Sequence, residues 1–316
     1  MSSPLSSPSS PNPTTPFSPT STSTTLPSSY ATLSLHKSDT LRFLNFPATL
    51  TTALEPAILA AWPPGIDSSS PAGGGGATSP GPGPAVEYKC KGRPFGYYGT
   101  QQHVGGIRLV RDVLAVLYRH GWELVTSVLC SRRYTAKDTL FFRCRAQAGR
   151  PTGAGAGAGA LPAVEWLALA PMGTDKLRVV YDAEGVKLHG AVGEEDNHHD
   201  HDHDHLGVLV SGVKKTLQEM GCFEKGDWSH DSFEFELKGK PWRSRGEASN
   251  TVRIMLMRLL ELMEGHKWRL YAAFVQRTGS DEDRILDTWY FVREKGEKGN
   301  KGQAVEMEAP VKAELL

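Results

Sequence analysis

"YKCKGRPFGYYG" at 88–99 and "FELKGKPWRSRG" at 235–246 carry one pattern twice. Each reads as the end of an apolar-alternating strand, then Lys-Gly-x-Pro-aromatic, then a basic, Gly-containing stretch that leads into a long helix. After the first copy, Val110, Val113, Leu114 and Leu117 fall at helical spacing; after the second, Leu256, Leu259, Leu260 and Met263 do the same. These are the core faces of two equivalent helices.

Working outward, the correspondence continues on both sides. Upstream, "LSLHKSDTLRFL" at 33–44 matches "LALAPMGTDKLRVV" at 167–180, and both read as hairpins with a polar turn. A helix follows each hairpin, at 47–62 and 206–221, the first containing Pro56, which is expected to kink it or end it early. Downstream, each long helix closes on a His and then a Trp two residues on, His120/Trp122 and His266/Trp268, with Gly121 and Gly265 as left-handed caps. The closing strands, 138–144 and 287–293, both open on Asp-Thr.

The chain therefore reads as α+β with an internal duplication. The unit is β-β-α-β-α-β-β, with a mostly antiparallel sheet, helices packed on one face, and the two copies as a pseudo-two-fold pair. Five segments follow: a Ser/Thr/Pro-rich tail at 1–29; a first repeat at 30–145 with an insert near 67–84; a Gly/Ala linker at 146–162; a second repeat at 163–293 with a His/Asp-rich insert near 193–205; and a charged end at 294–316. The tail, inserts and linker hold too few apolar residues to offset the entropy of ordering and are expected to be disordered. A length of 316 residues agrees with two domains.

Composition sets bounds on function. With 35 basic and 35 acidic side chains there is no global basic field to steer the chain onto nucleic acid, so anion binding has to come from a local patch. Cys90, Cys130, Cys144 and Cys222 share no CxxC spacing and sit in strand or helix-end contexts, which points to buried, reduced thiols and a reducing compartment, cytoplasmic or nuclear. The first 35 residues hold no Lys or Arg, so no secretory or mitochondrial leader is expected, and the helices carry too many charges to span a membrane.

The repeated loop has two readings. As a site, Lys238, Lys240, Trp242, Arg243 and Arg245, with Lys91 and Arg93 in the first copy, gather bases near a helix start, where free N–H groups favour an anion. As structure, Gly92 and Gly239 make a turn, Pro94 and Pro241 stop a strand, and Phe95 and Trp242 plug the sheet. The His-x-Trp pairs lack a recurring nucleophile or carboxylate and read as helix-end and core residues.

"NHHDHDHDH" at 197–205 reads as a low-complexity loop, and no metal or cofactor is expected to be bound. "CSRRYTAKD" at 130–138 reads as an exposed charged turn. No nucleotide loop, HExxH, GxSxG or kinase signature occurs, and no catalytic residue is assigned. The reading that follows is a non-enzymatic interaction protein binding a protein partner. The alternatives are a binder of a phosphorylated ligand or RNA through the basic loops, and an enzyme with its site at the junction of the halves.

Overall fold

The computed structural model describes residues 30–71, 85–96, 100–131, 136–145, 162–181, 203–230, 232–277 and 286–295. The tail, the Gly/Ala linker up to 161, residues 193–202 of the His/Asp run and the end beyond 295 lie outside these.

The first unit runs β1 (Tyr30–His36), β2 (Thr40–Leu44), α1 (Ala48–Ala61), β3 (Ile66–Pro71), β4 (Ala85–Cys90), α2 (Thr100–Arg119), β5 (Trp122–Val128) and β6 (Thr139–Cys144). The second repeats it with β7 (Val164–Met172), β8 (Lys176–Tyr181), α3 (His203–Glu219), β9 (Phe223–Ser229), β10 (Ser232–Leu237), α4 (Ala248–Gly265), β11 (Arg269–Phe274) and β12 (Thr288–Glu294). The two antiparallel six-stranded sheets have one order, β3-β4-β2-β1-β6-β5 and β9-β10-β8-β7-β12-β11. The duplication is thus present in every element.

Each unit holds one strand more than the sequence reading counts. β3 pairs antiparallel with β4 along residues expected to belong to the insert at 67–84, and β9 pairs with β10 in the same way. Both are edge strands, whose pairing is set by the free main-chain groups of the neighbouring strand rather than by their own side chains. Pro56 sits inside α1 without ending it. At the helix ends Gly121 takes the expected left-handed φ of +79°, but after α4 the left-handed residue is Lys267 (φ +66°) and not Gly265.

Alternation on the strands and helical spacing on α1 and α2 meet as designed by the pattern. Leu33, Leu41 and Phe43 face Leu50, Leu54, Val110, Val113, Leu114 and Leu117, all buried. In the second unit Leu167, Leu169, Leu177, Val179 and Phe291 face Leu209, Val213, Leu259 and Met263.

The second sheet is buried on both faces. Its other side, Trp166, Ala168, Ala170, Val180, Phe274 and Tyr290, joins the core of the first unit around α2. Ala168 and Ala170 let the helix lie close. The layers run sheet, helices, sheet, helices: the helical face of the first unit rests on the bare sheet face of the second. Like meets like at the equivalent edges, where the Leu124 N–H donates to the Tyr271 hydroxyl (3.0 Å) and Ser127 Oγ to the Ala273 carbonyl (3.3 Å).

Among the four cysteines, all free, Cys90 and Cys144 are buried as expected, Cys222 is partly buried, and Cys130 is exposed, which corrects the expectation of four buried thiols. Burial pushes the Cys90 thiol up to about 12. An alkylating reagent at neutral pH is expected to label Cys130 first and to reach Cys90 only on unfolding; mass mapping of a short iodoacetamide pulse checks the order.

Candidate functional site

The repeated loops are latched to their own first hairpin. Gly92 and Gly239 have φ of +79° and +75°, a turn that a side chain would strain. The Phe95 N–H donates to the Ser38 carbonyl (2.9 Å) and the Trp242 N–H to the Thr174 carbonyl (3.1 Å), equivalent turn residues. Lys91 N–H reaches Gly65 and Lys238 N–H reaches Cys222 at 2.9 and 2.7 Å. Phe95 is wholly buried, and the Trp242 indole donates to the Lys176 carbonyl (2.8 Å). The Gly-x-Pro-aromatic core of the loop is therefore a fastening that each sheet uses.

The bases around it, Lys91, Arg93, Lys238, Lys240, Arg243 and Arg245, are all exposed. None of them lines either of the two concave sites described below.

The histidines sit as helix-end residues. His120 is exposed with Nδ1 2.9 Å from the Val116 carbonyl, and His266 is the residue after α4. Trp122 and Trp268 are buried. In the 130–138 turn Cys130 and Ser131 are exposed, but Lys137 is not: it is buried, donates to the Lys37 carbonyl, and is depressed to about 8 by burial. Among the described residues no group of three or more His, Cys, Asp or Glu could hold a metal, and α3 begins at His203, inside the expected insert.

Two concave sites stand out. The larger, about 1240 Å³, lies where the units meet. Its wall is apolar, from Ala57, Ala61, Trp62, Val164 and Trp166, and its bases are Arg108, Arg111, Arg119 and Lys295, with Asp112 as the acid among its lining residues. Arg108 Nη2 donates to the His230 carbonyl across the junction (3.2 Å), and Arg111 Nε donates to Asp112 (2.7 Å). Three arginines and a lysine thus line one concave surface, Arg111 among them buried and paired with Asp112. Sequence reasoning missed it because Lys295 is remote from α2, although the spacing of 108, 111 and 119 places three arginines along one side of a helix.

The smaller, about 300 Å³, lies in the second unit between the 241–244 loop, the start of α4 and β12, lined by Pro241, Trp242, Leu256, Asp287 and Trp289. Burial, and then the charge of Asp138, raise the Asp287 carboxyl.

One protein-family model matches the chain twice, over residues 29–143 and 165–292, and describes only a numbered domain. Together the matches cover most of the chain, so the protein belongs to this domain family and carries two copies in tandem. No curated protein and no solved structure matches the chain.

Proposed function

We propose that this is a non-enzymatic interaction protein that holds an acidic segment of a protein partner in the groove between its two units. The observation that carries the reading is the groove itself, which needs both copies and joins an apolar wall to a basic rim at about 1240 Å³. That is larger than the roughly 300–1,000 Å³ of small-molecule sites and suits a length of chain. The charges steer and orient an acidic partner, and the apolar wall supplies the burial. Four free thiols support a reducing compartment, cytoplasmic or nuclear. No helix among the described residues is long and apolar enough to cross a membrane.

A photo-crosslinking residue at position 119 in the full chain is expected to yield a discrete protein adduct in cells, lost when Lys295→Glu is added; the same residue at 91 is expected to yield none. Equal adducts at 91 and 119 would sink the reading.

The exposed bases between 238 and 245 favour a second reading, a phosphorylated ligand or RNA at that loop. Lys240→Glu with Arg243→Glu then abolishes retention on heparin at low salt, and Lys91→Glu with Arg93→Glu does less. A steep salt slope marks phosphate contacts; retention unchanged by the first pair leaves the loop as a fastening only.

A further inference from the structure

The duplication supplies a ligand for comparison, because the first unit's counterpart of the smaller cleft is already occupied within the chain. Asp138 and Asp287 hold equivalent places, each before the Thr that opens the closing strand. In the first unit Asp138 pairs with a segment of the second: the Val275 N–H donates to Asp138 Oδ2 (2.9 Å), and the Asp138 N–H donates to the Val275 carbonyl (3.3 Å). Two residues on, Arg277 Nε donates to the Gly96 carbonyl (3.2 Å), and its Nη1 lies 3.1 Å from His103 Nδ1. An extended strand end is thus held by main-chain pairing at an aspartate and by its side chain near the start of α2.

The second unit keeps the receiving parts but leaves them open. Counting back from Trp122 and Trp268, Gly106 corresponds to Val252 and His103 to Ser249. A Cβ at Gly106 would meet the Pro94 carbonyl oxygen at 2.1 Å, so glycine there lets the first loop rest on α2. Valine at 252 forbids that approach, and a cleft of about 300 Å³ remains under Trp242.

We infer that this cleft binds an extended segment of a protein partner, held by main-chain pairing at Asp287, with a bulky apolar side chain against Trp242, Leu256 and Trp289 and a carboxylate facing Arg253. The charge differs from that of the occupant in the first unit for a local reason. Where Gly96 and His103 receive Arg277, the second unit's cleft has Ser249 in place of His103 and, in place of Ile107, Arg253, whose charge attracts an acid. Arg253 Nη1 is already held toward the cleft by Ser249 Oγ (2.7 Å).

The occupant is not a second copy continuing the stack: the outer face of the first sheet is polar, and α4, although it exposes Ile254 and Met257, lacks the residues that α2 buries at the junction. The outer face of the first sheet has Thr32 and Ser34 where the second has Ala168 and Ala170, and it carries the Arg42–Glu87 ion pair. At the other end α4 has Arg253 and Glu264 where α2 has Ile107 and Tyr118. Such faces cap a stack.

This cleft is separate from the junction groove, so the two proposals fail independently. The probes are two labelled peptides of residues 272–277, AAFVQR, one unchanged and one with Arg277→Glu, titrated into the full chain by fluorescence anisotropy. The Glu peptide is expected to saturate, about tenfold tighter than the Arg peptide. Asp287→Ala should weaken it about tenfold, with Arg119→Glu, in the junction groove, leaving it unchanged. Arg253→Glu, on an exposed helix position, is expected to reverse the preference, which keeps the test decisive should Asp287→Ala fold poorly. No saturation with either peptide, or binding indifferent to both cleft variants, overturns the proposal. So does concentration-dependent self-association in sedimentation that Leu129→Asp removes, since Leu129 corresponds to Val275 and would make a second copy the occupant.

Discussion

Trp122→Ala and Trp268→Ala are each expected to destabilise the protein by about 3–5 kcal/mol, the range for deleting a buried large aromatic. The two rings hold the same place after α2 and α4 and are 4% and 2% exposed, so neither site can fill by a small shift. Trp122 packs edge-on to Phe46 at 4.9 Å between centroids, and Phe46 in turn touches Phe142. Trp268 meets Tyr181 at 6.1 Å and carries the Arg293 guanidinium over its face at 4.7 Å. The layer order predicts a difference in kind. The Trp122 core is continuous with the inner face of the second sheet, so its loss lowers the unfolding of both units together. The Trp268 core belongs to the second unit. Urea unfolding followed by far-ultraviolet circular dichroism checks both; a loss under about 1 kcal/mol at either site contradicts core burial.

Glu234→Ala is expected to cost a similar amount, about 3–5 kcal/mol, by stranding a buried cation. Arg178 is 1% exposed on the junction side of the second sheet, donating to Ser232 Oγ (2.7 Å), the Ser229 carbonyl (3.2 Å) and the Glu234 carboxylate. Lys176 reaches the other carboxylate oxygen at 2.6 Å. Burial alone would raise the Glu234 carboxyl, but the Lys176 hydrogen bond and the Arg178 charge outweigh it and hold it below its ordinary 4.5. A carboxyl depressed by folding contributes stability that is present above its unfolded value and lost as pH falls through its folded value. Glu234→Gln should therefore flatten the fall in stability below about pH 4.5 while lowering the plateau near neutrality. An unchanged acid limb would show that the pair does not govern it.

Much of this molecule follows from side-chain order alone. Val110, Val113, Leu114 and Leu117, like Leu33 and Leu41, announce their buried faces by period, and the period recurs in the second half, so the duplication, the α+β class and the four helices are legible without coordinates. The turn role of Gly92 and Gly239 follows as directly, since few other residues accept that backbone.

The edge strands were hidden because "IDSSSP" and "FEKGDWS" carry no alternation of their own; the bare main chain of β4 and β10 recruits them. The stack had one faint signal, the unbroken apolar run "LALA" where the first copy has "LSLH", which marks a strand buried on both faces. That Arg108, Arg119 and Lys295 share a groove, and that the Val275 main chain pairs with Asp138 of the other unit, was decided by tertiary structure alone. Local periodicity says which face of an element is buried, but which distant surfaces meet depends on shape and charge matched across the chain, as where Gly106 leaves room for the Pro94 carbonyl against α2.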